Sequence, residues 1–191
     1  RLERVVDEIF GFKHFLPTHQ GRASEGILMS LLVKPGNLIP NNTHFDTTAA
    51  HVLAREGIPE NLLHDYSKNP SYDHPFKGNI NLDALRQVLE KNTDMIPFCM
   101  ITVTNNAGGG QPVSLANLEG LRKLCDEFSK PPFIDACRFA ENAYLIQQRE
   151  DGYSHMSVRE IARKMFSLAD GATFSAKKDA IVNIGGLLLM N

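Results

Sequence analysis

The chain contains the stretch Phe133-Ile134-Asp135-Ala136-Cys137-Arg138, in which apolar residues lead directly to an acid. Further along, the apolar run 171–174 leads in the same way to Ser175-Ala176-Lys177-Lys178-Asp179. Short apolar runs bounded by polar residues are typical of buried strands. The sequence therefore predicts an acid, Asp135, at the end of one strand and a lysine, Lys178, in register with it at the end of another.

Helical and extended patterns alternate along the rest of the chain, which is typical of an α/β fold. The capping box at 157–160 predicts the start of one helix, because a serine and a glutamate three residues apart satisfy each other's backbone amides. Helices are also predicted at 23–33, 47–56, 82–89, 114–128 and 138–150, and extended segments at 38–45, 95–103, 133–134, 171–174 and 181–190.

The composition is that of a soluble globular protein, with 191 residues, 42% hydrophobic and 22% charged. A net charge of −2 with both signs interspersed gives no electrostatic footprint for nucleic acid or an anionic membrane. The apolar runs are too short to span a bilayer. Three cysteines without a CxxC pair indicate buried thiols in a reducing compartment, so we expect a cytoplasmic protein.

Both ends of the chain predict that it is an internal piece of a longer polypeptide. An amphipathic pattern starts at once, with Leu2, Val5 and Ile9, and a strand-like run closes the sequence at 185–191. No domain boundary is predicted within residues 1–191, which we interpret as part of one large domain.

An acid and a lysine at strand ends are the minimum pair of side chains needed to bind pyridoxal phosphate. Lys178 would form the Schiff base, and its attack on the aldehyde would be helped by burial and by the cationic neighbour Lys177. Asp135 would keep the pyridine nitrogen protonated. Two other interpretations remain: Lys177-Lys178-Asp179 as a solvated turn, and Asp135 as a helix N-cap.

The same cofactor would need phosphate and ring contacts, and the sequence offers both. Gln20-Gly21-Arg22 precedes a predicted helix, whose N-terminal amides bind phosphate, and Ser175 would add a hydroxyl. An ordinary loop-to-helix turn is the alternative for this segment. Asn106, before the glycine run 108–110, would bond the ring oxygen. Phe45 would stack on the ring or else simply belong to the core.

Arg138 would reach the ring oxygen or a substrate carboxylate, and its alternative is a salt bridge with Glu141. The glycine run shows neither a GxGxxG nor a Walker pattern. The seven histidines show no metal-ligand spacing, so a zinc site is not predicted.

Four long motifs in one order resemble the aromatic amino-acid β-eliminating lyases, the family of tryptophanases and tyrosine phenol-lyases. They lie at 15–22 (FLPTHQGR), 109–114 (GGQPVS), 138–144 (RFAENAY) and 175–179 (SAKKD). The resemblance implies the large domain of a type I pyridoxal-phosphate enzyme, similar to aspartate aminotransferase, with a mixed, mostly parallel sheet flanked by helices. It also implies a dimer of dimers.

Residue by residue, Lys178 matches the Schiff-base lysine of the family, Asp135 the partner of the pyridinium nitrogen and Arg138 the arginine beside the ring oxygen. The remaining cofactor contacts are matched by Gln20, Gly21, Arg22 and Ser175 for the phosphate, Phe45 for stacking and Asn106 for the ring oxygen. The resemblance implies potassium activation as well, with Asn183 supplying a backbone oxygen to the ion.

The chain departs from the family in three respects. The glycine run has one more glycine than expected, so Asn106 is assigned by counting back from Gln111, and Cys137 replaces a small or hydroxylic residue. We expect the N-terminal segment and the C-terminal small domain of the family to lie outside residues 1–191. We therefore expect that this chain alone does not turn over substrate efficiently.

Substrate choice is predicted from Asp46, which follows the proposed stacking residue Phe45. Tryptophanases resemble this chain in having an acid here, which would accept a hydrogen bond from an indole N–H, whereas tyrosine phenol-lyases have threonine. Asp46 as a cap of the helix at Thr47 is the alternative. We therefore favour β-elimination of tryptophan to indole, pyruvate and ammonia. A tyrosine phenol-lyase, a threonine aldolase-like lyase and a non-catalytic truncated module remain open.

Overall fold

A computed structural model describes residues 2–191 of the chain, and its centre is a five-stranded sheet. The spatial strand order is β1, β7, β6, β5, β4. These strands are β1 (His14–Thr18), β4 (Cys99–Thr102), β5 (Pro132–Asp135), β6 (Gly171–Ser175) and β7 (Gly186–Met190), and a separate parallel pair is formed by β2 (Leu38–Asn41) and β3 (Ile58–Asn61).

Four strands of the large sheet run in one direction and β7 runs against them. The pairs β4–β5 and β5–β6 are parallel, whereas β7 is antiparallel to both β6 and β1. Parallel neighbours need a crossover, and helices supply it, as the sequence pattern predicts. The sheet is therefore mixed and mostly parallel, and the predicted fold class is confirmed.

Seven α-helices flank the strands within residues 2–191. They are α1 (Leu2–Ile9), α2 (Gly21–Leu32), α3 (Asp46–Leu53), α4 (Leu82–Asn92), α5 (Leu115–Glu127), α6 (Phe139–Arg149) and α7 (Val158–Ser167), with short 3-10 turns at Asp65–Lys68 and Thr93–Met95. The predicted capping box is present at the start of α7. None of these helices has both the length and the apolar character that crossing a membrane would require.

The apolar core lies on both faces of the sheet, as expected for strands covered by helices. One face carries a large cluster that includes Phe10, Phe139, Phe166 and Phe174, whose rings pack at centroid distances of 4.9–5.7 Å. The other face carries a smaller cluster in which α2 packs on the strands through Leu28 and Met29. Both faces being buried explains why the central strands have almost uniformly apolar sequences.

Three segments differ from the sequence prediction. The last strand starts at Gly186 rather than at Ile181, because residues 181–184 form an exposed turn. The run 95–103 contributes only Cys99–Thr102 to the sheet, since its partner β5 begins at Pro132, which pairs with Cys99. Strand β1 was not predicted at all, because its sequence, HFLPT, shows neither an apolar run nor strict alternation.

Candidate active site

Asp135 and Lys178 lie at the carboxyl ends of two neighbouring parallel strands, β5 and β6. Asp135 is the last residue of β5 and is paired with Thr173 of β6. Strand β6 ends at Ser175, and a turn held by the bond from the Lys178 amide to the Ser175 carbonyl follows directly. Because carboxyl ends of parallel strands share one edge of a sheet, the acid and the lysine both lie at that edge, as predicted. The predicted register is wrong, since Asp135 pairs with Thr173 and Lys178 lies three residues beyond the end of β6.

A cavity of about 160 Å³ lies at this edge. All nine residues that the sequence predicts as cofactor contacts line it: Gln20, Gly21, Arg22, Phe45, Asn106, Asp135, Arg138, Ser175 and Lys178. They come from five separate parts of the chain, so only the folded structure brings them together. Their roles toward a cofactor stay predictions.

The start of α2 forms one wall of the cavity. Gln20 is the N-cap residue and its side chain makes no capping bond, so the helix presents its first amides without a side-chain partner from that residue. A Cβ on Gly21 would lie 2.6 Å from the Cβ of Ser175, so only glycine allows α2 and β6 to approach this closely. Helix N-terminal amides, a hydroxyl and the exposed Arg22 together suit an anionic group.

Asp135 is a buried carboxyl group, 5% exposed. Burial raises the pKa of Asp135 to about 8, and the negative charge of Glu25 adds to the rise, whereas the Cys137 amide and Arg138 oppose it. Asp135 takes part in none of the ion pairs found within residues 2–191. A carboxylate in this environment is stabilised by a cation brought into the cavity.

Asp135 is not a helix N-cap, which was the alternative interpretation. Helix α6 begins at Phe139, and its N-cap residue is Arg138. The amide of Ala140, in its first turn, donates instead to Oδ2 of Asp179 at 2.7 Å. Helix capping therefore does not explain why Asp135 is buried.

Arg138 and Asn106 form a pair on another wall, where Arg138 Nη1 donates to Asn106 Oδ1 at 2.6 Å. After Asn106 the chain turns at Gly109 and Gly110, whose φ angles of +86° and +73° favour glycine. Arg138 Nε also lies 3.9 Å from Glu141, so the salt bridge proposed as an alternative is present as well.

The sequence reasoning missed Glu25 and Thr47, which also line the cavity. Glu25 is 7% exposed, and its Oε2 accepts a hydrogen bond from Thr47 Oγ1 at 2.7 Å. Burial raises the pKa of Glu25, and the Thr47 bond and His51 oppose that rise. Glu25 lies one helical turn after Gly21 on the same face of α2, but this spacing alone does not distinguish it from other polar residues of a helix.

Thr173 is a further missed residue of the cavity. Its Oγ1 is buried and has no hydrogen-bond partner within residues 2–191. A buried hydroxyl without a partner costs free energy, so its place beside Asp135 indicates a polar group that is supplied by something bound in the cavity.

Lys178 and its neighbour Lys177 both line the cavity, but both are exposed. The expectation that burial would favour the neutral amine of Lys178 is therefore not met by the described residues. The cysteines also differ in part from the prediction: Cys99 and Cys125 are buried, whereas Cys137 is only half-buried and borders the cavity.

Asp46 and Asn183 do not line the cavity. Asp46 is the exposed first residue of α3, between Phe45 and Thr47, which both do. Asn183 lies in the exposed turn before β7. Within residues 2–191 there is no cluster of three or more His, Cys, Asp or Glu side chains suited to a metal ion.

A mixed, mostly parallel sheet flanked by helices, with an acid and a lysine at adjacent strand ends, places the chain in the fold class of the large domain of type I pyridoxal-phosphate enzymes. A solved structure of a putative L-allo-threonine aldolase from Listeria monocytogenes EGD-E has this fold, with a TM-score of 0.69 over 99% of this chain and 47% of the aldolase chain. At 14% identity the likeness concerns the fold alone.

The chain belongs to the beta-eliminating lyase family, whose model matches residues 1–191. It is 56% identical to a tryptophanase from Salinibacter ruber over 191 residues, which are 100% of this chain and 41% of the relative. It is 45% identical to a tyrosine phenol-lyase from Symbiobacterium sp. (strain SC-1) over 100% of the chain and 42% of that relative. The chain thus spans about two fifths of the length of both relatives.

The burial and chemistry of the residues that line the cavity fit pyridoxal phosphate. The buried, unpaired Asp135 and the unpartnered hydroxyl of Thr173 suit a cationic ring and its polar substituents. The start of α2 lines the cavity through Gln20, Gly21 and Arg22, and a helix N-terminus with a guanidinium suits a phosphate. Lys178 provides the amine that the aldehyde requires.

Proposed function

We propose that this chain supplies the cofactor-binding part of a pyridoxal-phosphate-dependent lyase that cleaves tryptophan to indole, pyruvate and ammonia. The observation that carries the proposal is the convergence of Lys178, Asp135 and the start of α2 on one cavity. The 56% identity to a tryptophanase supports the choice of reaction.

The proposed roles divide along the walls of the cavity. The amides at Gln20 and Gly21, the guanidinium of Arg22 and the hydroxyl of Ser175 bind the phosphate. Phe45 covers the ring face. Asp135 would hold a proton at the ring nitrogen, the Arg138–Asn106 pair would contact the ring oxygen, and Lys178 would make the covalent attachment.

The chemistry follows from these roles. Bound pyridoxal phosphate supplies an electron sink for the pair released when the substrate Cα loses its proton. Lys178 would be the base that accepts that proton. The bond from Cβ to the indole carbon then breaks, its electron pair stays with the indole, and that carbon takes up a proton. Water completes the balance by releasing pyruvate and ammonia, and no oxidant is needed.

Several properties of the whole protein belong to this proposal. We infer that residues 1–191 form part of a longer polypeptide with additional N-terminal and C-terminal segments, because the matched relatives are more than twice as long. The full protein would be a cytoplasmic dimer of dimers activated by potassium. The exposed turn at Asn183 would give its backbone oxygen to that ion.

Asp46 is the proposed determinant of substrate choice. It is exposed within this chain and lies between two residues that border the cavity, so it is available to a leaving group held above the ring. If bound substrate covers the Asp46 carboxylate, an indole N–H would pair with it and tyrosine would leave it unpaired, and such unpaired groups give strong discrimination.

The test compares tryptophan, tyrosine and threonine as substrates of the full-length protein and its Asp46→Thr variant. We expect indole and pyruvate from the wild type, and a loss of about tenfold or more in kcat/KM for tryptophan in the variant, since one lost hydrogen bond to a charged group is worth about 1.5–3 kcal/mol. Asp73→Thr, at another exposed aspartate, serves as the control.

Each other outcome identifies an alternative. Phenol from tyrosine in place of indole would favour a tyrosine phenol-lyase, and acetaldehyde from threonine would favour an aldolase. The absence of any product in a correctly folded protein loaded with cofactor would favour a non-catalytic module. Unchanged tryptophan cleavage by Asp46→Thr would remove the assigned role of Asp46.

A further inference from the structure

The first turn of α6 is capped by a carboxylate from a distant part of the chain. The Ala140 amide donates to Asp179 Oδ2 at 2.7 Å, and the Glu141 amide contributes to the same carboxylate. The N-cap residue itself, Arg138, makes no side-chain cap, because a guanidinium donates hydrogen bonds and cannot accept them from helix amides; it donates to Asn106 in the cavity instead. Asp179 therefore supplies the cap that Arg138 does not.

Asp179 is also the residue that follows Lys178. The turn 176–185 is otherwise held by backbone bonds, in which the Ala176 amide donates to Gly185, Ile181 to Lys178 and Val182 to Ala176. Within residues 2–191, Asp179 has the only side chain of this turn that makes a hydrogen bond to another element. The turn that carries the lysine is thus tied to α6 at one point.

The cap has electrostatic consequences for the same carboxylate. Asp179 is half-buried, which raises its pKa, whereas the two amides of α6 and the charge of Arg138 favour the ionised form and Glu141 disfavours it. A helix N-terminus stabilises an anion through its free amides and its dipole. The bond between Asp179 and the Ala140 amide joins the turn that carries Lys178 to helix α6, whose N-cap residue is Arg138. Lys178 and Arg138 both line the cavity.

We propose that Asp179 is a positioning residue, which fixes the Lys178 turn against the N-terminus of α6 and thereby sets the distance of the lysine amine from the Arg138–Asn106 wall. The inference rests on the proposed function, because it assumes that Lys178 is the attachment point. Beyond the proposed function, the bond from the Ala140 amide to Asp179 would set the geometry in which Lys178 attaches the cofactor.

Glu150 provides a matched control elsewhere in the fold. Its carboxylate accepts hydrogen bonds from the Leu115 and Ala116 amides at 2.6 and 2.9 Å, so it caps α5 from outside in the same way. Glu150 does not line the cavity. Asp179→Ala and Glu150→Ala should therefore lose comparable stability, measured as similar shifts of the urea midpoint, and should differ only at the cofactor site.

The experiment measures two quantities in the full-length protein freed of cofactor. The first is the rate at which added pyridoxal phosphate becomes fixed to the protein by borohydride. The second is the affinity for pyridoxine phosphate, which lacks the aldehyde and cannot form the covalent link. We expect Asp179→Ala to slow fixation about tenfold or more, because small displacements of a reacting group are costly, while pyridoxine phosphate affinity stays within about threefold. Glu150→Ala should leave both unchanged.

Two further variants separate capping from charge and guard against misfolding. Asp179→Asn keeps an oxygen that caps the helix and should restore most of the fixation rate. Asp179→Glu keeps the charge but displaces the turn by one methylene, so it should remain slow even if Asp179→Ala does not fold.

Three results would overturn the positioning role. They are a wild-type fixation rate in Asp179→Ala, a rate in Asp179→Asn as low as in Asp179→Glu, or equal slowing by Glu150→Ala. A wild-type protein that binds pyridoxine phosphate but shows no fixation at Lys178 would instead refute the proposed function, and the positioning role with it.

Discussion

Asp135 makes the stability of the cofactor-free protein depend on pH in a defined direction. The pKa of this carboxyl group rises from 3.8 to about 8 on folding. Between these values the folded state binds more protons than the unfolded state, so the free energy of unfolding falls as pH rises through that window. A group that is favourable when neutral becomes a buried, unpaired charge at alkaline pH.

We therefore predict that Asp135→Asn flattens this pH dependence. Between pH 5 and pH 8 the cofactor-free wild type should lose several degrees more in Tm than the variant, since each unit of pKa difference is worth about 1.4 kcal/mol and 1 kcal/mol shifts Tm by about 2–4 °C in chains of this size. Thermal unfolding followed by circular dichroism measures it. The exposed Asp151→Asn should keep the wild-type dependence, and an equal slope in Asp135→Asn would contradict the assignment.

At the same scale, sequence reasoning found the residues of the site that belong to motifs and missed those that do not. Lys178 and Gln20-Gly21-Arg22 lie in stretches that match a family motif, and Asp135 ends a strand-like apolar run, so their convergence could be expected. Glu25 and Thr173 lie inside an ordinary helix and strand, where a polar residue on a helix face or next to a strand end has no distinctive pattern. Their importance depends on burial, which comes only from packing.

Among the elements, the contact between α2 and β6 depends on Gly21. A Cβ there would meet Ser175 Cβ at 2.6 Å and Ser175 Cα at 3.0 Å, so the backbone must shift to admit it. We predict that Gly21→Ala costs about 1–3 kcal/mol in stability as an overpacked site. It should also lower the affinity for pyridoxal phosphate about tenfold while changing that for pyridoxal much less, because the displaced amides are the proposed phosphate contacts.

Gly26, on the same helix, provides the control for this prediction. The nearest atoms to a Cβ at Gly26 would belong to the His51 ring, at 3.0 Å, and that half-buried side chain can move aside. Gly26→Ala should keep the wild-type ratio of affinities for pyridoxal phosphate and pyridoxal, measured by equilibrium titration. If Gly21→Ala keeps that ratio too, the start of α2 is not the phosphate site.

Element boundaries show where the sequence stops being informative. The apolar run 181–184 predicts strand, yet Ile181 is 88% exposed at a φ of +53° and the chain turns there. Apolar residues on a surface that another part of a protein covers look identical to core residues in the sequence. The length of a strand also depends on its partner. Within the run 95–103, pairing begins only at Cys99, because its partner β5 begins at Pro132.

For the whole molecule, the fold class could be predicted but the strand order could not. Alternating helices and strands favour a parallel sheet, and four strands obey this. The insertion of β7 between β1 and β6 in the opposite direction joins residues 14–18 to residues 186–190, almost the full length of the chain apart. Such contacts depend on the assembled sheet, and local patterns carry no information about them.

The central claim is that the cavity at this sheet edge holds pyridoxal phosphate through Lys178. The most direct measurement loads the full-length protein with the cofactor, reduces it with borohydride and locates the label by peptide mapping. We predict a single labelled site at Lys178, with label lost in Lys178→Ala and retained in Lys177→Ala. A label on Lys177 in the wild type, or none in protein that binds the cofactor, would contradict the account.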